Sequence, residues 1–186
     1  MKLKFTAALL VATVLVSPVA AKEILGVGTP DATQFRAKAT ASDAFEILSS
    51  RIANTHATDP DLKMFAQMMI ADHTKSTDAL VALGGISKAS LETKMNPGGD
   101  GKWAANDLLD SDHANELNSL ESKSNDDFNK TYVDDQVKGH EAMVSLLEDY
   151  AKNGDNAKLR DFAKSILPTV KEHLAKAQGL QKKLGA

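Results

Sequence analysis

The chain has 186 residues, of which 42% are hydrophobic and 25% are charged, and this is the composition of a single globular domain that can bury a core. It contains no cysteine, which excludes a disulfide-stapled scaffold, a thiolate metal site and a cysteine nucleophile. The formal net charge of −3 gives no electrostatic basis for binding nucleic acid, so we expect no nucleic-acid partner.

The first 21 residues have the pattern of a secretory signal peptide. Lys2 and Lys4 precede a short apolar run over residues 5–16, and small residues at 19–21 offer a cleavage site. A membrane-spanning helix needs about 20 apolar residues, and this run is much shorter. We therefore predict that residues 1–21 are a signal peptide that directs the protein to the periplasm. A retained anchor, an envelope-associated protein and a secreted protein are the alternatives.

The rest of the chain is predicted to be helical after an N-terminal loop over residues 22–32. Over residues 33–184, apolar side chains recur at the three- and four-residue spacing of amphipathic helices. The predicted helices cover approximately residues 31–56, 60–83 and 103–122, then from a cap at 125–127 to 152, and finally 156–184. No second apolar run is long enough to span a membrane, so we expect no membrane span in the mature form.

Short turns join the first predicted helix to the second, and the fourth to the fifth, so each pair should form an antiparallel hairpin. The connection between the two pairs is long and contains the shorter third helix. Two long hairpins joined by a long crossover are typical of ferritin-like proteins. The predicted fold is therefore all-α, a ferritin-like four-helix bundle of two helical hairpins with an extra shorter helix in the crossover.

Each of the four long helices turns at least one polar side chain toward the predicted core, if successive residues are placed about 100° apart. The inward residues are Glu46, His73, His140 and His173, with Gln136 on the same face as His140 and with Asp72 and Asp135 at the edges of their stripes. With a rise of about 1.5 Å per residue, Glu46 and His73 lie at the same height, whereas His140 and His173 differ by about one turn. We therefore expect these side chains to meet near the middle of the bundle.

Buried charges are costly unless they are paired or bind a metal, so this group needs either mutual hydrogen bonds or an ion. Imidazole and carboxylate ligands suit Fe, Mn, Zn or Cu. The sequence therefore gives Glu46, His73, His140 and His173 as candidate metal ligands, with Asp72, Asp135 and Gln136 as peripheral candidates. The Glu-x-x-His pair of di-iron bundles is absent, because Ile70, Val137 and Val170 stand three residues before the histidines.

The remaining candidate residues point to structure rather than chemistry. His56 lies at the predicted end of the first helix, where an imidazolium would interact favourably with the helix dipole. Asp110 and His113 have helical spacing but form a weaker candidate pair. Trp103 is expected to close one end of the bundle or to bind a partner. The sequence contains no nucleophile elbow, phosphate loop or dinucleotide fingerprint, so it gives no indication of an enzyme.

These residues also carry a resemblance to a known family. The matching motifs are Phe65-Ala66-Gln67-Met68-Met69 and Asp72-His73 in the second predicted helix, Phe128, Tyr132, Gln136-Val137 and His140 in the fourth, and Phe162-Ala163, Leu167-Pro168 and His173 in the fifth. With these motifs the chain resembles the exported bacterial family called domain of unknown function 4142, from about Thr33 to Leu180. Glu46 matches the acidic residue of that family's first helix. The family often has Asp where this chain has Asn129, so a carboxylate is missing there.

The resemblance implies a ferritin-like fold and export, but it supplies no activity, and two functional hypotheses follow from the residues. In the first, the protein binds a metal ion as a store, a sensor or a redox and stress-protection device. In the second, it is a non-enzymatic envelope or stress module with a hydrogen-bonded histidine core and no metal. A pH switch through the buried histidines is a third hypothesis. A protein partner or a homo-oligomer is left open.

Overall fold

The protein is all-α. The computed structural model describes residues 28–84, 87–89, 94–96, 98–99, 101–106 and 108–185, and within these ranges it contains four long helices, one shorter helix of 11 residues and no strand. The helices are α1 (Ala32–His56), α2 (Pro60–Ala82), α3 (Ser111–Glu121), α4 (Asn125–Asn153) and α5 (Ala157–Leu184). The predicted signal peptide at 1–21 lies outside the described residues. Across the described ranges, every helix is too short or too polar to cross a membrane.

Side chains next to the helix ends determine where the long helices begin. The Asp31 carboxylate accepts the Gln34 amide and completes a capping box at the start of α1. The Asp59 carboxylate accepts two amides at the start of α2, where Pro60 occupies the first position. Asn156 caps α5 in the same way. These three helices therefore begin within a residue of their predicted starts. Helix α4 differs, because its N-cap is Ser124, which makes no side-chain cap hydrogen bond, so the predicted cap residues 125–127 lie inside the helix.

The third helix is shorter than predicted, because it begins at Ser111 and not at Trp103. Asp110 is its N-cap, and its carboxylate accepts the backbone amide of His113 at 2.9 Å. Before this cap, the Asn106 side chain accepts two backbone amides in a turn, which replaces helical hydrogen bonding. The Trp103 backbone amide donates to the side-chain oxygen of Asn118, and the Asn118 side-chain amide donates to the Trp103 carbonyl oxygen. These two hydrogen bonds hold the non-helical segment at Trp103 against α3.

Helix α1 packs along α2, and α4 packs along α5, so the three-residue connections at 57–59 and 154–156 close two helical hairpins. The hairpins meet where α1 contacts α4 and where α2 contacts α5, while α3 packs against α1 and α4. The Asn129 side chain fastens the α1–α2 turn to α4, because its amide donates to Thr58 Oγ1 at 2.9 Å and its oxygen accepts the Thr58 amide at 3.3 Å.

Two apolar clusters fill the interior, and a polar layer lies between them. One cluster includes Phe45, Leu62, Tyr132 and the buried Trp103. The other includes Phe35, Tyr150, Leu159 and Phe162. Along each of three helices, the buried apolar residues belong first to one cluster and then to the other. This boundary lies between Met69 and Leu80 on α2, between Val137 and Leu147 on α4, and between Val170 and Ala177 on α5. The histidines of all three helices lie in these intervals, and this polar layer is the candidate site.

Candidate metal centre

Three histidines from three helices converge in the polar layer. His73 of α2, His140 of α4 and His173 of α5 are 4%, 1% and 2% exposed, and their ring centroids lie 5.4–5.6 Å apart. One ring nitrogen of each histidine lies within 4.8 Å of the corresponding nitrogens of the other two. Three imidazoles so close together and so fully buried are able to act as ligands of a single ion.

His73 is oriented by a buried carboxylate. Its Nδ1 lies 2.8 Å from Asp43 Oδ1, and the Thr77 hydroxyl donates to Asp43 Oδ2 at 3.2 Å. Burial acts to lower the pKa of His73, but the hydrogen bond and the charge of Asp43 outweigh it and raise the pKa above the ordinary value. The Asp43 contact therefore fixes the ring and makes the imidazole more basic.

His140 and His173 are held by other partners. His140 Nδ1 contacts the Gln136 carbonyl oxygen at 2.8 Å, and burial, followed by the neighbouring His73, lowers the pKa of His140 to about 3. His173 Nε2 lies 3.2 Å from Asp72 Oδ2, and burial lowers the pKa of His173 as well. Both rings are therefore neutral at pH 7, which is the state in which imidazole binds a metal.

The second nitrogen of each ring is buried and has no hydrogen-bond partner among the described residues. These atoms are His73 Nε2, His140 Nε2 and His173 Nδ1. When one nitrogen of a neutral imidazole donates a hydrogen bond, the other carries a lone pair. A carboxylate or carbonyl on one nitrogen and an unused lone pair on the other is the arrangement found in metal-ligating histidines.

The spacing of the ring nitrogens is slightly open for an ion. At the 4.8 Å limit, an ion centred between the three nitrogens would lie about 2.8 Å from each. Because zinc–nitrogen bonds are about 2.0–2.1 Å, each ring would move inward by about 0.7 Å.

Glu46 lies beside the cluster of three histidines, and not among the converging ligand atoms. Its Oε1 is 3.5 Å from His140 Nδ1, which is the nitrogen that the Gln136 carbonyl already holds. Burial raises the pKa of Glu46 to about 7, and its Oε2 has no hydrogen-bond partner in the described part of the chain. A Cβ at Gly139 would lie only 3.2 Å from Glu46 Oε1, so the glycine lets the carboxylate approach α4 closely.

The peripheral candidates occupy different positions. Asp72 contacts His173 and also accepts a hydrogen bond from Lys75 at 2.8 Å, which lowers its pKa. Gln136 donates to Ser49 Oγ at 3.4 Å and contacts His140 through its backbone. Asp135 lies outside the cluster and lines a cavity next to Glu46.

Sequence reasoning missed Asp43, although it contacts His73 directly and is only 5% exposed. The signal was the spacing on the first helix, where Asp43 lies four residues after the inward Ala39 and three before Glu46. The other two histidines lie away from the cluster. His56, in the last turn of α1, stacks on Phe128, and His113, in the first turn of α3, packs against Phe45.

Two cavities approach the polar layer from different sides. One, of about 270 Å³, is lined by Asp43, Asp72, His73 and His173 together with small and apolar side chains of α2 and α5. The other, of about 330 Å³, lies between α1, α3 and α4 and reaches Glu46. The first cavity therefore reaches two of the three histidines, whereas the second reaches Glu46 beside them.

Together, the fold and the site define an all-α protein with three buried histidines that could hold a metal ion. A family model with the description "Domain of unknown function (DUF4142)" matches residues 18–180, and the chain belongs to this family. Comparison with curated proteins found no match, and comparison with solved structures found none either.

Proposed function

We propose that this protein binds one divalent first-row transition-metal ion through His73, His140 and His173. The observation that carries the proposal is the set of three buried ring nitrogens that have no partner within the described residues, each on a ring whose other nitrogen is held. Leaving three such groups unpaired in the interior is costly, and a metal ion removes that cost for all three at once.

The ligand set and its surroundings favour Fe, Zn or Cu. Imidazole suits these metals, whereas Mg and Ca prefer oxygen ligands, and Mn stands low in the affinity order. Asp43 and Asp72 place negative charge next to His73 and His173, and this charge favours a divalent cation. Glu46, which was predicted from the sequence to be a ligand, contacts His140 in this proposal and does not bind the ion.

The biological role proposed for the site is metal storage, sensing or protection against oxidants. Three protein ligands leave further coordination positions on a bound ion. The cavity of about 270 Å³ extends to His73 and His173, so a small molecule has a path to the ion. This feature favours a role in which the metal exchanges or reacts over one in which it only stabilises the fold.

The proposed setting is the periplasm, and the proposed architecture is a ferritin-like four-helix bundle. The signal pattern over residues 1–21 supports export. The two packed hairpins support the architecture, because α1 contacts α4 and α2 contacts α5, with α3 in the long crossover.

A metal-free envelope or stress module is the competing function. The contacts of His73 with Asp43 and of His173 with Asp72 favour it, because they exist without an ion. They use only one nitrogen of each ring, however, and His140 relies on a backbone carbonyl alone. The metal-binding proposal therefore accounts for more of the buried polar atoms.

Titration of the metal-free protein with cobalt(II) tests the proposal. We expect visible absorption that saturates at about one ion per chain and that zinc(II) abolishes by displacement. The single variants His73→Gln, His140→Gln and His173→Gln should each weaken binding severely, whereas His56→Gln and His113→Gln serve as matched controls and should bind like wild type. Equal loss in all five variants, or no saturable absorption by folded wild type, would contradict the proposal.

A further inference from the structure

The cavity between α1, α3 and α4 is strongly acidic. The charged side chains that line it among the described residues are the carboxylates of Glu46, Asp110, Asp112, Glu116 and Asp135 and the ammonium groups of Lys38 and Lys138. Acidic side chains therefore outnumber ammonium groups by three around a space of about 330 Å³. A cleft lined by one sign of charge concentrates oppositely charged ions.

The charges near the mouth of this cavity reinforce one another. Lys138 pairs with Glu116 at 2.7 Å, and His113 Nδ1 lies 3.0 Å from Asp110 Oδ1, so two of the five acidic groups have a partner at the cavity itself. Burial, followed by the charge of Glu116, raises the pKa of Asp135 to about 6. Asp112 is exposed in the first turn of α3, where it extends the acidic surface outward.

Glu46 forms the inner end of the cavity. It is only 1% exposed, it lines the cavity, and its Oε2 has no hydrogen-bond partner among the residues that the structure describes. Its Oε1 lies 3.5 Å from His140. A buried acidic side chain that lines the cavity on one side and contacts His140 Nδ1 on the other is suited to transient contact with a cation.

The second cavity has a different electrostatic character. Its two carboxylates are already engaged, because Asp43 contacts His73 and Asp72 contacts both Lys75 and His173. The exposed Lys75 ammonium also stands at its rim. A cation approaching from this side meets less unbalanced negative charge than one approaching through the acidic cavity.

We propose that the acidic cavity is the route by which a divalent cation reaches the three-histidine site, with Glu46 passing the ion from the cavity to the cluster. This inference rests on the proposed function, since it assigns a path to a site that must itself bind metal. The path runs from the exposed carboxylates at the mouth, past Asp135, to Glu46 and then to His140.

Stopped-flow uptake of cobalt(II) by the metal-free protein tests the route. The test variant is Asp112→Asn/Asp135→Asn, and the control is Asp127→Asn/Asp161→Asn, which changes the net charge equally at positions outside the cavity. By Coulomb's law, removing one charge about 10 Å from a divalent cation in water lowers its local concentration about fourfold. The two charges together give about sixteenfold, so at low ionic strength we expect uptake by the test variant to be up to about sixteenfold slower than by wild type.

The control double variant should take up cobalt within about twofold of the wild-type rate, and all three proteins should bind it with similar equilibrium affinity. Salt should slow wild-type uptake more than uptake by the test variant, because screening removes the same attraction. Equal rates for test and control variants would overturn the route while leaving the metal site standing. Failure of folded wild type to bind cobalt at all would overturn both proposals.

Discussion

The contact between Asp43 and His73 gives the sharpest test of how the cluster is held. Asp43 Oδ1 lies 2.8 Å from His73 Nδ1, and both side chains are less than 10% exposed. In Asp43→Asn the amide oxygen can still accept from the ring, but the negative charge is lost. In Asp43→Ala the acceptor is lost as well, and His73 is free to rotate.

The expected magnitude follows from the strength of such contacts. Hydrogen bonds to charged groups contribute about 1.5–3 kcal/mol, which corresponds to about a tenfold to hundredfold change in an equilibrium constant. Replacing the outer partners of metal-ligating histidines costs affinity in the same range. We therefore expect zinc(II) affinity to fall about tenfold in Asp43→Asn and about a hundredfold in Asp43→Ala.

Competition against a chromophoric chelator measures these affinities, and thermal unfolding of each metal-free variant confirms that it is folded. Two controls bracket the result. Thr77→Val removes only the hydroxyl that bonds Asp43 Oδ2 at 3.2 Å, so its effect should be smaller. Asp161→Asn removes an exposed charge on α5 and should leave the zinc(II) affinity unchanged. If Asp43→Ala bound zinc as tightly as Asp161→Asn, the reasoning about oriented histidines would be refuted.

Three further predictions concern stability. Burial lowers the pKa of His140 to about 3 in the folded protein, so as the pH falls below about 6.5 the unfolded chain binds this proton before the folded protein does. The stability advantage of metal-free wild type over His140→Gln, measured by urea unfolding, should therefore shrink by up to about 1.4 kcal/mol per pH unit. A difference in stability that stays constant between about pH 6.5 and pH 4 would contradict this. Zinc(II) at about 100 times its dissociation constant should raise the unfolding free energy of wild type by about 2.7 kcal/mol, and calorimetry should find no such rise in His73→Gln. Asn129→Ala should lower the free energy of unfolding by about 1–3 kcal/mol, because the backbone amide and the hydroxyl of Thr58 both lose their hydrogen-bond partner. The control is Asn153→Ala at an exposed position. An equal decrease in the two variants would show that the contact is unimportant.

Much of the helical fold could be predicted from local chemistry. Asp59 followed by Pro60 identifies the start of α2, and Asn156 identifies the start of α5, because capping depends on neighbours in sequence. The start of α3 could not be predicted in this way. The segment from Trp103 is held by Asn118, 15 residues further along the chain, and by burial of the indole in the core.

The histidine cluster follows largely from helical geometry. The apolar stripes placed His73, His140 and His173 on inward faces, and their rings do converge. The three ring centroids lie 5.4–5.6 Å apart, so the three residues that the stripes placed inward also lie close to one another. Periodicity thus identifies which side chains of these helices face inward.

The hydrogen-bond partners of the three histidines could be predicted less well. The rotation of the helices against one another determines which ring nitrogen contacts Asp43, the Gln136 carbonyl or Asp72. The periodicity of a single helix does not contain that information. For the same reason Glu46 appeared equivalent to the histidines in the sequence. In the structure it lies against His140 Nδ1, outside the group of converging ligand atoms.

The metal content of the protein purified from its native compartment, without added metal or chelator, tests the central proposal most directly. Elemental analysis should find about one transition-metal ion per chain in wild type. The same preparation of His73→Gln/His140→Gln should contain none, while His56→Gln/His113→Gln should match wild type. A folded wild-type protein that contains no stoichiometric metal, and that melts identically with and without zinc(II), would contradict the proposal that the three histidines hold an ion.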